Sequence, residues 1–282
     1  MLLLLSTVLG FVLSGDPRLQ HEVLTSALHQ FPVIGGDLAR PKRLGGGLVG
    51  LVVGIAGSLY GGLGVAQVFQ YASNTVWGVP RNNRPNPFKA RGRSVLLLAT
   101  AGLAVLGTTA LSIAGGGGAG ALGTAGRSLT LAASVAVNIA MAIFAFRFGP
   151  ARRLSVRDVV PGAIATAVIW QLLQSFGVIY VRHVVEHASA TSAVFALVLG
   201  LLAFLYITAT AVLFCMEINV VRVNRLHPRS LLTPFTDDVT LTTGDRRAYS
   251  RLAKAQRSKG FEHVDVNFDP PSSESGHDDP GP

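Results

Sequence analysis

Two histidines and a carboxylate stand at metal-ligand spacing in His183-Val184-Val185-Glu186-His187. This is the H-x-x-E-H order of inverted zincins, in which both imidazoles lie on one helix face and hold zinc. Such a centre also needs a third ligand and a cleft. The next acid is Glu217, a whole apolar run later. The pentapeptide joins two apolar runs, where polar residues occur in any case. No metal, no catalytic residue and no cofactor is therefore assigned, and adventitious metal binding is the bland alternative.

Glu217 is the one acid attached to a long apolar run. An ionisable group at membrane depth is by default a functional hypothesis, here a proton or substrate site. The structural alternative puts it within a turn or two of the surface, paired with Arg222 or with an arginine of residues 147–157. Gln171 and Gln174 are three apart and share a helix face. Asn138 sits near the middle of another apolar run. Amides inside a membrane bundle either join helices, for about 1 kcal/mol or less, or line a polar path. Asn138, Gln171, Gln174 and Glu217 are thus the candidates for a substrate path.

These residues need elements that cross a membrane. Val159–Val181 and Ser192–Met216 carry no charge, and each exceeds the roughly 20 residues that span a hydrocarbon core. About ten polar-leaning residues link them, so they form a membrane hairpin. Pro161 falls in the first turn of that helix, where it costs no hydrogen bond. Earlier spans are expected at Leu44–Val68, Ser94–Ala114 and Ser128–Phe146. The second continues through Gln70 to Trp77, with Trp77 and Tyr180 as interfacial anchors. Gly46, Gly50, Gly54, Ser58 and Gly62 recur at four-residue steps, giving a small-residue face for close packing. That face serves packing within the bundle or homo-oligomerisation. Gly115–Gly126 reads as a flexible turn. Its glycines lack the G-K-[ST] ending of a phosphate loop, so no nucleotide is assigned. Leu2–Leu13 is apolar but only about 18 Å long as a helix. It reads as the end of a first transmembrane helix whose start is missing, with a misassigned start codon as the leading explanation.

The composition agrees: 49% hydrophobic and 14% charged residues place the chain in the membrane class. The net charge of +9 lies in the short loops. After Val221 basic and acidic residues are equal in number, so the excess is a topology signal, and no nucleic-acid partner is expected. Arg81, Arg84, Lys89, Arg91 and Arg93 follow the second span; Arg147, Arg152, Arg153 and Arg157 follow the fourth. Basic loops stay cytoplasmic, which puts both termini inside. Residues 14–43 then lie outside despite Arg18, Arg40, Lys42 and Arg43, and their length weakens the rule there. Arg91, Arg93, Arg152 and Arg153 are candidates for anionic lipid headgroups, beyond setting topology. Cys215 is the single cysteine, so no internal disulfide forms.

The fold expected is all-α: a polytopic membrane bundle of about six helices over residues 1–221, the first truncated. A mostly unstructured cytoplasmic tail, 222–282, follows, with a short polar helix starting near Asp245 and disorder after about 268. The hairpin carries Pro161-Gly162-Ala163, Trp170-Gln171, Tyr180, Leu205-Tyr206 and Glu217-Ile218-Asn219, and Asn74 and Trp77 precede it. In these motifs the chain resembles the YihY/BrkB family of bacterial inner-membrane proteins, and the tail segment RSLLTPF resembles actinobacterial members. The resemblance implies a six-helix protein of the plasma membrane with a transport or envelope-maintenance role. With the amides and basic loops, it suggests a lipid or anionic amphiphile as cargo and membrane lipids as partners. The rival is a non-transporting scaffold that oligomerises through Gly46–Gly62. A ribonuclease label has been attached to this family, but no cluster of histidines and carboxylates on the cytoplasmic side supports an enzyme here.

Overall fold

The computed structural model describes residues 47–117, 119–180, 190–226 and 241–268. Leu2–Leu13, Gly46, the His183–His187 pentapeptide and the RSLLTPF segment lie outside them. The elements are α1 (Gly47–Val76), a 3-10 turn (Arg81–Asn83), α2 (Pro87–Gly117), α3 (Ala119–Phe148), α4 (Val156–Tyr180), α5 (Ala190–Asn224) and α6 (Thr243–Ala255). Among the described residues all regular structure is helical. Helices α1 to α5 each hold an apolar stretch long enough to span a membrane. Each packs on the next in sequence, and α5 returns to α1, so the five close into a ring.

Helix ends follow local chemistry. At the end of α1, Val79 N–H donates to Asn74 O at 2.8 Å and Gly78 N–H to Thr75 O at 3.0 Å, with Gly78 at φ +59°. This is a Schellman stop, which takes glycine because a left-handed backbone crowds any Cβ. Helix α5 stops similarly: Leu226 N–H reaches Val221 O at 3.0 Å over a left-handed Arg225. Pro87 opens α2 at its first position, where a missing N–H costs nothing. After α6, the backbone N–H groups of Ser258 and Lys259 donate to Glu262 and hold its carboxyl below the usual range.

Three expectations are corrected. The glycine-rich run is no extended turn: α2 continues to Gly117 and α3 begins at Ala119. With no proline or charge to offer another partner, its backbone satisfies itself by staying helical. Helix α4 starts at Val156, because Asp158 accepts from Ser155 N–H at 2.9 Å and caps it there. Pro161 is therefore inside the helix rather than in its first turn. Trp77 is 1% exposed and not an interfacial anchor, since the Schellman turn folds it inward. The short helix expected near Asp245 is α6, and it packs on the bundle.

Packing is strongly one-sided. The buried cluster comprises Trp77, Val79, Ala142, Phe146, Leu154, Val159, Ala163, Cys215, Met216 and Val220. All lie near the Trp77 end, which the arginine-rich loops mark as cytoplasmic. In the other halves of α1 to α5, only Thr108 and Gly177 are buried among the described residues.

Candidate functional site

The first polar centre lies where α4 meets α5. Pro161 has no N–H for the carbonyl of Arg157, so one rung of the ladder is missing there, although α4 runs on through it. The fully buried Asn219 of α5 packs against the same turn. Its Oδ1 accepts from Gly162 N–H at 2.7 Å, and its Nδ2 donates to Val159 O at 3.2 Å. One amide thus serves a backbone donor and a backbone acceptor of the neighbouring helix. Gly162 is required because a Cβ there would strike the carbonyl of Cys215 and the amide of Asn219. In a membrane such backbone groups have no water to turn to, so the clamp joins the hairpin tightly.

A second polar layer binds the rest of the ring at the same level. Asn74, buried on α1, accepts from Ala151 N–H at 2.6 Å in the α3–α4 link. Gln70 donates from Nε2 to Ser94 Oγ at 2.8 Å and to Ala90 O at 3.1 Å, joining α1 to α2. Arg93 donates to Pro150 O at 3.4 Å. A Cβ on Gly149 would meet Ala145 O, Phe69 and Ser73 Oγ within 3 Å, so the chain passes close to α1 there.

Below this layer lies a basic cleft of about 520 Å³. Its wall on the bundle side is Trp77, Gly78, Arg152, Asn224 and Leu226; its other wall is α6. Helix α6 is set by a capping box, in which Thr242 Oγ1 accepts from Asp245 N–H and Asp245 Oδ2 accepts from Thr242 N–H at 2.8 Å. At 100° per residue, Arg246, Arg247, Ser250, Arg251 and Lys254 fall within an arc of about 140°. That arc faces the bundle. Arg251 Nη2 donates to Val76 O at 2.9 Å, capping the last turn of α1. At the far end, Asn82 N–H donates to Arg257 O at 3.3 Å. Arg152 stacks over the Trp77 ring at 5.6 Å and reaches Asn224 Oδ1 at 3.5 Å.

The cleft therefore holds Arg152, Arg246, Arg247, Arg251 and Lys254, and among the described residues no carboxylate lines it. Two like charges about 8 Å apart repel by about 2 kcal/mol at an effective dielectric of about 20, less where solvent screens them. Burial, and then the charge of Arg152, push the Arg251 guanidinium below its ordinary pKa. Chemically the arrangement suits a multiply charged anion.

The residues singled out from sequence scatter around these centres. Glu217 is exposed on α5 and lies two residues from Asn219, on nearly the opposite face, with no ion pair to a described residue. Gln171 is exposed on α4 beside Ile164, Val168 and Ser175, whereas Gln174 is half-buried. Asn138 is half-buried on α3, the helix that packs on α4. Arg91 and Arg153 are exposed, Arg93 ties α2 to the α3–α4 link, and Arg152 alone of the four enters the cleft. On the small-residue face, a Cβ on Gly62 would meet Leu98 at 2.9 Å, whereas Gly54, and Gly57 and Gly61 which flank that line, have nothing within 4 Å. Among the described residues no group of three metal ligands occurs. Sequence reasoning missed the amide clamp and the α6 face. The signals were there: a Pro-Gly pair inside an apolar run, and basic residues at i, i+1, i+5 and i+8 behind a Thr-x-x-Asp cap.

Residues 1–237 match the family described as Virulence factor BrkB. No curated protein and no solved structure matches the chain. That family is not a known enzyme family. Helix α6 follows the matched region, so the family accounts for the bundle wall of the cleft but not for its basic helix. The match spans most of the sequence and five helices fit a membrane, so the chain belongs to the virulence factor BrkB family, as a multi-pass protein of the bacterial inner membrane.

Proposed function

We propose that this protein moves an anionic amphiphile, a lipid or lipid-linked precursor, and so maintains the cell envelope. One observation carries the reading: among the described residues, buried side chains gather at the cytoplasmic end of the ring and are few in the outer halves. A bundle closed at one end and loose at the other is what a membrane carrier shows in one of its two states. Gln171 and Gln174 lie in the outer half of α4, Asn138 lies one turn from buried Ala142 on α3, and together these amides supply a polar path for a headgroup. The test is reconstitution into proteoliposomes with a fluorescent anionic phospholipid, read by leaflet-selective quenching. Translocation above protein-free vesicles is expected, with a drop of tenfold or more in Gln171→Leu/Gln174→Leu. Translocation unaffected by the double variant removes the amide path, and none at all removes transport.

The scaffold reading has its own observation. Gly54, Gly57 and Gly61 present a bare helix surface to which nothing described comes within 4 Å. Such a surface lets a second backbone approach. Gly54→Leu should then leave the monomer's melting temperature unchanged and reduce the oligomer mass in detergent. An unchanged mass counts against oligomerisation through this face.

A further inference from the structure

We infer that the cleft between α6 and the cytoplasmic end of the ring is a binding site for a phosphate-bearing anion, which α6 clasps against the bundle. The inference is independent of transport, and it shares only Arg152 with the arginines marked in the sequence.

Four observations meet in one place. Among the described residues, the lining contains five cations and the neutral hydrogen-bonding side chains of Asn224, Thr243 and Ser250, and no carboxylate. Asp245, an acid of α6, is turned away into the capping box. The basic residues of α6 are thus grouped on the face that meets the bundle, where their charges oppose Arg152. Arg152, Arg246, Arg247 and Lys254 are exposed and Arg251 is half-buried, so the like charges crowd an open cleft that a bound anion would relieve. Finally, the walls are fixed before any ligand arrives. Arg251 is tied to Val76 O, Arg152 is stacked on a buried Trp77, and Gly78 leaves room for the Arg251 side chain, with Nε 2.7 Å from where a Cβ would be. Arg247 and Lys254 remain as heads with no ion pair to a described residue, available for ligand oxygens.

The size narrows the class. At about 520 Å³ the cleft is in the range of sites that hold small organic ligands, larger than one inorganic phosphate requires. Arginine forks match phosphate oxygens in pairs. A diphosphate or a phosphorylated headgroup fits both charge and volume. Two sources share this chemistry: an anionic lipid of the inner leaflet, beside which the cleft lies, and a soluble phosphorylated compound of the cytoplasm.

The experiment uses the full-length protein carrying Trp170→Phe, which leaves Trp77 as the single tryptophan. Trp77 emission and amide exchange over residues 243–255 are followed in nanodiscs. One arm compares phosphatidylcholine with phosphatidylglycerol; the other titrates inorganic pyrophosphate into phosphatidylcholine discs. Saturable change in emission with slowed exchange in α6 is expected in at least one arm. A response to phosphatidylglycerol alone identifies a lipid headgroup, and one to pyrophosphate a soluble ligand. Arg247→Gln/Lys254→Gln touches neither the Val76 bond nor the Trp77 stack. It should weaken binding at least tenfold while the ligand-free melting temperature holds or rises. No response in either arm, or equal binding by the double variant, overturns the site.

Discussion

Asn219 shows how one side chain can decide whether two membrane helices fit. Its amide bonds one donor, Gly162 N–H, and one acceptor, Val159 O, on the turn of α4 that holds Pro161. Interhelical hydrogen bonds in membranes average only about 0.6 kcal/mol, because displaced groups find other partners. Here the partners are backbone groups beside a proline, buried where no water reaches. Asn219→Ala should therefore cost about 1–3 kcal/mol, the range for orphaned buried groups. Gly162→Ala should cost more, since its Cβ meets a backbone carbonyl that cannot swing away. Thermal unfolding in detergent checks both, and an Asn219→Ala protein as stable as wild type would remove the clamp. The motif residues were legible in the sequence, but their pairing was not. Nothing in Pro161-Gly162-Ala163 says which side chain, 57 residues on, will meet that turn. Glu217 drew attention instead because charge in an apolar run is conspicuous, and its face could not be known before the packing.

Among the elements, the five long helices could be read from apolar length alone, as membrane helices are. Their ends were less legible. Hydropathy is blind to the Ser155–Asp158 cap and to a glycine-rich stretch that stays helical for want of a better partner. Helix α6 was expected as a short polar helix near Asp245, and its capping box carries that signal. Its docking was hidden because the tail's charges balance in sum, while their arrangement on one face is what matters. Docking hangs on the stop of α1. Gly78→Ala places a Cβ in a left-handed backbone and against Arg251 Nε. We expect it to cost about 1 kcal/mol in the turn and to release α6, seen as faster amide exchange over 243–255. Unchanged exchange there would show that α6 is held by its other contacts.

At the scale of the molecule, the basic loops, the polar layer and α6 all lie at one end of a closed ring. Orientation follows from charge and can be tested directly. In a Cys215→Ala background, Ser258→Cys should react with an impermeant maleimide only in inside-out vesicles, and Ser128→Cys only in right-side-out ones. The opposite pattern would invert the protein. The ring also has an order in time. Asn219 follows Gly162 by 57 residues, which at about 5–20 residues per second takes a ribosome roughly 3–11 s. For that interval the nascent α4 carries the missing proline rung and a bare surface at Gly162, with the side chain that will cover it not yet made. Such a segment is a poor solitary guest for lipid. We expect α4 and α5 to leave the translocon as a pair, and a chain stalled between them to be an unfinished hairpin.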